Sequence, residues 1–411
     1  MHINLGRTLS KVFTAAALTL ILTTPGWTQA IEKVLYSFGG FTDGGNPQPG
    51  VVLDSKGNVF GTTLNGGDNF EGAVFEVTPN SDGSWTEQVI HSFSGFTGTG
   101  DGALPFGGLT LDAQGNLYGT TDAGGSDGGG TVFELSAGSN GVWTETILYS
   151  FAGGSDGFAP FAGVVFDSAG NLYGTTERGG TPGFGATAGF GTVFELSPGA
   201  NGTWTKKTLH TFSGANDGAI PGSNLVVDSL GNLYGVAQSG GANDYGLLFQ
   251  LAPQPDGSWV EHVIHPFSGG ADGISCYGAA AVDKAGNVFV EAYYSVLEFS
   301  PSPSGGWTRK SLHSFTGGPD GAGAEGGLIL DSSGNIYGIT SSGGHHHGIV
   351  FELAHGSQGA FTEEILHDFE GGSDGDFPEF NYLTLDAKGN IYGTTPNGGA
   401  SNSGVVFELI R

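Results

Sequence analysis

The feature that most constrains this chain is an Asp-x-x-Gly-Asn motif followed by a β-forming run, which occurs seven times. Successive motif aspartates are 48 to 61 residues apart. They are Asp54, Asp112, Asp167, Asp228, Asp283, Asp331 and Asp386. A period in this range is typical of repeat architectures, whose units are too small to bury a core alone. The 411 residues are therefore expected to form one large domain.

The second unit predicts four antiparallel strands per repeat. An inner strand at 108–112 is followed by a turn in which Gly115 can adopt positive φ. The next strands are expected at 117–121, 131–135 and 143–151. An Asn-Gly dipeptide at 140–141 is a hairpin signal between the last two. Four short strands at this period indicate a β-propeller blade.

The two ends of the repeat array predict how the ring closes. Residues 405–411 form a third strand with no fourth after it, and residues 31–38 resemble a fourth strand with no preceding three. An open ring would leave unpaired edges, which proteins avoid. We expect an all-β, seven-bladed β-propeller whose N-terminal strand completes the last blade.

Residues 1–30 have the pattern of a secretory signal peptide. Arg7 and Lys11 precede or begin a short apolar run, and Ala30 ends a cleavage-like sequence. An uncleaved N-terminal anchor is the alternative. We expect one domain at 31–411, secreted, periplasmic or at the cell surface, with no membrane contact after signal removal. Cys276 is the single cysteine, so no intrachain disulfide can form.

The chain is strongly acidic, with 40 Asp and Glu residues against 12 Lys and Arg and a formal charge of -28. Such a surface repels phosphate backbones and anionic lipids, which argues against nucleic acid as a partner. Many of these acids belong to the repeated motifs. We expect a monomer with an acidic, solvated surface.

The unit Asp-x-x-Gly-Asn-[LIV]-[YF]-Gly-Thr-Thr, then Gly-Gly, then Gly-Thr-Val-Phe-Glu-Leu resembles the Gloeobacter–Verrucomicrobia (GloVer) tandem repeat of exported bacterial proteins. The resemblance covers 31–411. It implies a propeller-like exported protein, and it supplies no catalytic residues. Unit 5 departs from the pattern, because residues 289–299 lack both Gly-Thr-Thr and the Gly-Gly loop.

Two sets of residues are candidate metal ligands. An Asp-Gly dipeptide precedes each inner strand, and seven carboxylates near one rim could bind Ca²⁺; the alternative is an ordinary turn. These residues are Asp43, Asp101, Asp156, Asp217, Asp272, Asp320 and Asp374. His345, His346 and His347 lie in a glycine-rich loop and could bind a transition metal, the alternative being a solvated loop. Five outer-strand histidines, one per blade, are expected to be too far apart for a shared site.

Unit 5 supplies the candidate ligand-binding residues. Its short loop should leave a notch in the rim near Cys276, Tyr277, Glu291, Tyr293 and Tyr294. Aromatic side chains beside a carboxylate would suit a sugar. The alternative is loss of the repeat pattern without a function.

No motif of a nucleophilic, metallopeptidase or phosphate-binding site occurs in the sequence. We therefore expect a non-catalytic module that binds an extracellular polysaccharide or surface protein. The alternatives are a lyase or glycoside hydrolase that uses rim or channel carboxylates, and a purely structural surface protein.

Overall fold

Antiparallel β-strands make up nearly all of the regular structure in a computed structural model of the chain. The model describes residues 30–95, 100–139, 141–180, 187–274 and 278–411. The predicted signal segment, except Ala30, lies outside these residues. The described part contains seven four-stranded sheets. This confirms the seven-bladed propeller with four antiparallel strands per blade.

Blades 1 to 4 follow one another along the chain, each with its strands in inner-to-outer order. Blade 1 comprises β2 to β5 at Val52–Leu53, Val59–Thr63, Ala73–Pro79 and Trp85–Ser92. Blade 2 comprises β6 to β9 at Thr110–Leu111, Leu117–Thr121, Thr131–Ala137 and Trp143–Ser150. Blade 3 comprises β10 to β13 at Val165–Phe166, Leu172–Thr176, Thr192–Pro198 and Trp204–Thr211. Blade 4 comprises β14 to β17 at Val226–Val227, Leu233–Ala237, Leu247–Pro253 and Trp259–Pro266.

Blades 5 to 7 continue the series. Blade 5 comprises β18 to β21 at Ala281–Val282, Val288–Glu291, Ser295–Pro301 and Trp307–Ser314. Blade 6 comprises β22 to β25 at Ile329–Leu330, Ile336–Thr340, Ile349–His355 and Phe361–Asp368. Blade 7 comprises β26 to β28 at Thr384–Leu385, Ile391–Thr395 and Val405–Ile410, together with β1 at Ile31–Ser37. Short 3₁₀ turns lie at Gly154–Asp156, Ala200–Gly202, Gly270–Asp272, Ser357–Gly359 and Gly372–Asp374.

The ring closes as expected, because β1 pairs antiparallel with β28 from Ile31↔Ile410 to Ser37↔Val405. The inner strands are shorter than predicted, with two residues each. Their predicted first residues include Gly108, which lies close to Pro49, Asn224 and Tyr382 from three other blades. The backbone there runs along the crowded ring axis rather than beside a partner strand.

Paired aromatic residues and glycines build the core between neighbouring blades. At six of the seven blade junctions, a Phe directly after the outer strand packs against a Phe in the third strand of the following blade, as in Phe93–Phe133 with ring centroids 5.3 Å apart. Gly119 makes room for this ring, since a Cβ there would lie 2.6 Å from Cζ of Phe133. The glycine of the Gly-Thr-Thr motif therefore follows from close packing rather than from a turn.

Unit 5 keeps this core filled with a different pair of residues. Val290 stands where the other second strands have glycine, and it pairs directly with Leu297. Leu297 in turn replaces the third-strand Phe. Both residues are buried. A larger residue opposite a smaller one conserves volume, so the departure of unit 5 from the repeat is a compensated repacking.

The Asp-x-x-Gly-Asn motif is a turn, as its chemistry predicts. Asp112 accepts hydrogen bonds from the backbone N–H groups of Gln114 and Asn116, both at 2.8 Å, and from the Asn116 side chain at 2.9 Å. Gly115 adopts a φ of 90°. The same arrangement recurs in the other units. We call the face that carries these turns the turn face. None of the helices in the described residues is long and apolar enough to cross a membrane.

Candidate functional site

Two loops of each unit meet on the opposite face, which we call the rim-loop face. The loop after the second strand pairs with the loop that leads into the inner strand, as in the bridges Gly45↔Asn65 and Ala103↔Ala123. This arrangement places the Asp-Gly aspartates and the unit 5 residues on the same face.

Each Asp-Gly aspartate caps its own loop. Asp156 accepts a hydrogen bond from the backbone N–H of Ala152 at 2.8 Å, and Asp320 accepts one from Thr316 at 2.8 Å. Among the described residues, the three groups with metal-binding geometry contain one such aspartate each. The structure therefore separates the seven carboxylates predicted as one acidic rim. Calcium binding stays a prediction.

Each of these aspartates instead lies in a cluster between two blades. A His or Tyr from the preceding outer strand contacts it, as does an acidic or basic residue near the start of the next outer strand. The groups are Tyr36–Asp43–Glu87, His91–Asp101–Glu145, Tyr149–Asp156–Lys206, His210–Asp217–Glu261, His265–Asp272–Arg309, His313–Asp320–Glu363 and His367–Asp374–Glu32. We call them the interblade clusters.

A bulge in each outer strand positions the His or Tyr. The register between β4 and β5 shifts between Val74↔His91 and Phe75↔Val89, leaving Ile90 unpaired. The same shift precedes the equivalent His or Tyr in the other blades, including β1. A bulge re-aims the following side chain. The sequence carried a signal for the pairing that we did not use: six of the seven His or Tyr residues lie seven positions before their aspartate.

The predicted histidine site in the blade 6 loop does not converge on one point. The Nδ1 atom of His345 lies 2.9 Å from Asp368, and that of His347 lies 2.7 Å from Asp376. His346 has a φ of 80°. The two flanking imidazoles thus have separate carboxylate partners, and a metal site there stays a prediction.

The residues proposed from unit 5 lie in different environments. Cys276 and Tyr277 fall outside the described residues. Tyr293 and Tyr294 form an edge-on pair with centroids 4.6 Å apart, and Tyr294 is 46% exposed. Tyr293 also forms a bridge to Ala324 in the loop of blade 6. Glu291 is only 3% exposed.

Glu291 occupies a position held by Thr in most units. Thr62, for example, donates to the carbonyl oxygen of Pro105 in the next blade. Neither carboxyl oxygen of Glu291 makes a hydrogen bond of good geometry within the described residues. Burial raises the pKa of Glu291 well above its ordinary value, while the nearby backbone N–H groups of Ile339 and Gly326 partly oppose this rise. Burial without an ion-pair partner among the described residues therefore favours the neutral form of this carboxyl.

Aromatic side chains from three blades meet at the centre of the rim-loop face. Phe106 of unit 2 stacks on Phe161 of unit 3 with centroids 4.5 Å apart, and Phe161 contacts Phe380 of unit 7 at 6.4 Å. All three are partly exposed. Below them, Tyr382 reaches across the axis to the backbone of Asn224. The centre of this face therefore carries an aromatic cluster.

Four carboxylates accompany these aromatic residues. Glu325 and Glu379 interact, and burial together with Glu379 raises the pKa of Glu325 to about 7. Burial and Asp122 raise the pKa of Glu177 to about 7, although Arg178 opposes the rise. We call the seven residues Phe106, Phe161, Phe380, Asp122, Glu177, Glu325 and Glu379 the central patch. Sequence reasoning missed it. The sequence does contain a signal for this patch. The residue that follows the second strand, and the residue that follows the proline of the loop before the inner strand, differ from unit to unit.

A groove of about 720 Å³ lies on the turn face between blades 5 and 6. Phe361 lines it and stands where five other outer strands begin with the larger Trp. Lys310 also lines it and donates to Gly359 at 2.7 Å. In the next interblade groove, Arg411 contacts Tyr337 and Glu352. The smaller ring of Phe361 leaves this groove wider than an indole would, and its motif residues Asp283 and Asn287 bond each other.

The Gloeobacter/Verrucomicrobia repeat model matches residues 20–188, 144–296 and 291–411, which together span nearly the whole chain. The chain belongs to this repeat family. The GloVer resemblance inferred from the motifs is thereby confirmed. Among curated proteins, none matches the sequence.

Solved structures show that the fold is shared with distant propellers. A streptogramin B lyase is 11% identical with a TM-score of 0.53, covering 92% of this chain and 97% of its own. A catalytically inactive virginiamycin B lyase from Staphylococcus aureus with quinupristin is 12% identical with a TM-score of 0.53, covering 93% and 100%. The extracellular domain of a protein from B. thetaiotaomicron, described as a one component system, is 12% identical with a TM-score of 0.54, covering 93% of this chain and 42% of that one. At such identities the likeness concerns the fold alone.

Proposed function

We propose that this GloVer-repeat propeller is an exported, non-catalytic module that binds an extracellular glycan at its central patch. The observation that carries the proposal is the meeting of Phe106, Phe161 and Phe380 on the face whose loops also carry the interacting pairs Asp122–Glu177 and Glu325–Glu379. Aromatic faces and polar acceptors together suit the apolar ring faces and hydroxyl groups of a sugar. The acidic surface of the chain favours a neutral or cationic glycan over an anionic one.

The non-repeated character of the patch supports a ligand role. Most units share the core and turn positions, and these positions explain the fold. The patch residues instead differ between units, and Glu325 and Glu379 stand where Phe106 and Phe161 stand in units 2 and 3. A ring of equal units has no unique binding site until such differences break its symmetry.

Hydrolysis of the same glycan is a second candidate function, and one observation favours it. Glu325 and Glu379 form an interacting pair with one pKa raised to about 7, which a general acid requires. However, burial and a neighbouring Asp raise the pKa of Glu261 and Glu363 to about 7 as well, in repeated interblade clusters. A raised pKa is therefore not specific to a catalytic site in this chain. We place binding first.

The test begins with residues 31–411 and a panel of soluble neutral and chitosan-like cationic glycans, followed by calorimetric titration of each glycan that raises the melting temperature. Replacing Phe161 with Ala should weaken binding about tenfold or more, which corresponds to about 1.4 kcal/mol. The matched control is Phe70→Ala, because Phe70 lies in a rim loop and is 63% exposed. The Phe70→Ala variant should bind the glycan with the same affinity as the parent.

Two further variants separate the alternatives. Phe361→Trp narrows the turn-face groove, so loss of binding in this variant would place the ligand there and refute the central patch. Chromatography of the mixture detects products, and Glu325→Gln with Glu379→Gln should abolish them if they form. Products that depend on these two residues would favour the hydrolase over the binding module. If no glycan binds, the sugar proposal is wrong.

A further inference from the structure

Three of the interblade clusters have the composition and spacing of a metal site. In His367–Asp374–Glu32 the imidazole hydrogen-bonds its aspartate directly at 3.1 Å, whereas in the other two it does not. In the first of these two, His91 Nε2 lies 3.7 Å from Asp101 Oδ2 and 3.6 Å from Glu145 Oε1. In the second, the Nε2 atom of His210 lies 3.7 Å from Asp217 Oδ2 and 3.9 Å from Glu261 Oε2. In each cluster, one ligand atom from every member lies within 4.8 Å of the others.

These separations do not fit direct hydrogen bonds. A hydrogen bond would bring the atoms to about 2.7–3.2 Å. Two ligands of a tetrahedral zinc ion, each about 2.0–2.1 Å from the metal, lie about 3.3 Å apart. The ligand atoms would therefore have to move by only a few tenths of an ångström to reach the separation expected between two ligands of one zinc ion.

The histidine and the glutamate of each cluster carry buried atoms without hydrogen-bond partners. Nε2 of His91, Nε2 of His210, and the Oε1 atoms of Glu145 and Glu261 are shielded from solvent and make no hydrogen bond within the described residues. The side chains of the first cluster are 11% to 18% exposed. Buried polar groups are normally satisfied, so an uncompensated imidazole facing two carboxylates calls for a cation between them.

In two other interblade clusters, a cationic side chain of the protein takes the place of the glutamate. Between blades 2 and 3, Lys206 replaces the glutamate, and its Nζ atom lies 2.9 Å from Asp156. Between blades 4 and 5, Arg309 replaces it, and its Nε atom lies 3.2 Å from Asp272. There the imidazole of His265 hydrogen-bonds Asp272 at 2.9 Å. In these two clusters a cationic side chain contacts the aspartate directly.

We propose that His91–Asp101–Glu145 and His210–Asp217–Glu261 each bind a divalent first-row transition metal, for which Zn²⁺ is the test ion. One imidazole nitrogen and two carboxylate oxygens are the donors that such ions accept, with water completing the coordination. Each ion would join two neighbouring blades at their outer edge. The role is structural and independent of the proposed glycan site.

The experiment uses residues 31–411, freed of metal by a chelator and dialysed against Zn²⁺, with bound metal measured by inductively coupled plasma mass spectrometry. His91→Gln with His210→Gln should lower the bound zinc by two ions per chain. The matched control is His265→Gln, whose cluster contains Arg309, and it should leave the zinc content unchanged. A second control, His345→Gln with His346→Gln and His347→Gln, accounts for zinc held by the blade 6 loop.

A second double variant, which introduces lysine into both clusters, distinguishes loss of the metal ligands from misfolding. Glu145→Lys with Glu261→Lys copies the cluster that contains Lys206, so it should fold and also lose two zinc ions. Zn²⁺ should raise the melting temperature of the parent more than that of this variant. Equal zinc content in the parent and both double variants would overturn the proposal. Binding of Ca²⁺ but not Zn²⁺ would also overturn it, because the imidazole ligand would then have no role.

Discussion

Glu291 offers the sharpest test of the energetics of the irregular blade. Its carboxyl is 3% exposed and lacks a hydrogen bond of good geometry. Burial raises its pKa in the folded protein above the ordinary value of 4.5. Below pH 4.5 the group is protonated in both the folded and the unfolded chain, so its full contribution to stability is present. Above that pH only the unfolded chain ionises, and folding becomes less favourable.

The size of this effect follows from proton linkage. Each bound proton that differs between the two states changes the free energy of unfolding by about 1.4 kcal/mol per pH unit. The loss begins near pH 4.5 and continues until the folded-state pKa is reached. Between pH 5 and pH 7 Glu291 alone can therefore remove up to about 2.7 kcal/mol. Glu291→Gln keeps the shape of the side chain and lacks this dependence.

Urea unfolding of the parent and Glu291→Gln at pH 5, 6, 7 and 8 measures the effect. The difference in free energy of unfolding between the two proteins cancels the titration of the other carboxyls. It should shift in favour of the variant as the pH rises. Glu370→Gln, at an exposed site, is the control and should parallel the parent. A difference that stays constant from pH 5 to pH 8 would refute the conclusion that Glu291 is buried in its neutral form.

Three further predictions concern the core, the turns and the ring closure. Phe249→Ala should cost about 3–5 kcal/mol in urea unfolding, because this ring is fully buried against Phe212 with centroids 5.3 Å apart; a cost below about 1 kcal/mol would contradict the packing. Asp112→Ala removes three short hydrogen bonds of one turn and should cost about 1–3 kcal/mol by the same assay, whereas no loss would show that the turn forms without them. Deleting 31–37 exposes the edge of β28, so size-exclusion chromatography should show self-association and calorimetry a lower melting temperature, both reversed by a peptide of residues 31–38; a stable monomer would contradict closure by β1.

The fold was predictable because each of its determinants repeats in the sequence. The Asp-x-x-Gly-Asn turn, the outer-strand aromatic residues and the placement of 31–38 opposite 405–411 are local patterns seen several times. One short strand is difficult to assign from its sequence alone, but several equivalent segments that show the same pattern support a single assignment. The closing strand was predictable because a missing fourth strand at one end matched an extra one at the other.

The candidate sites were less predictable because they depend on contacts between blades. Val290 with Leu297 was interpreted only as a departure from the repeat, since its compensation appears once the strand register is known. The outer-strand histidines were expected to act singly, but each lies beside an aspartate of its own loop and a residue of the next blade. Phe106 and Phe161 come from consecutive units, but Phe380 lies more than two hundred residues later, and only the closed ring brings it to them.

The pairing of β1 with β28 also determines when blade 7 can form during synthesis, because its first and last strands are made at opposite ends of the chain. The hydroxyl of Ser37 accepts a hydrogen bond from the backbone N–H of Ala400, 363 residues later in the chain. At about 5–20 residues per second, a ribosome needs roughly 20–70 s to make that length. Throughout this interval the first strand has no partner, although blades 1 to 6 can form behind it. Because β1 is made first and its backbone groups stay unpaired until β28 is made, we expect a chaperone that binds unfolded chains to bind this segment.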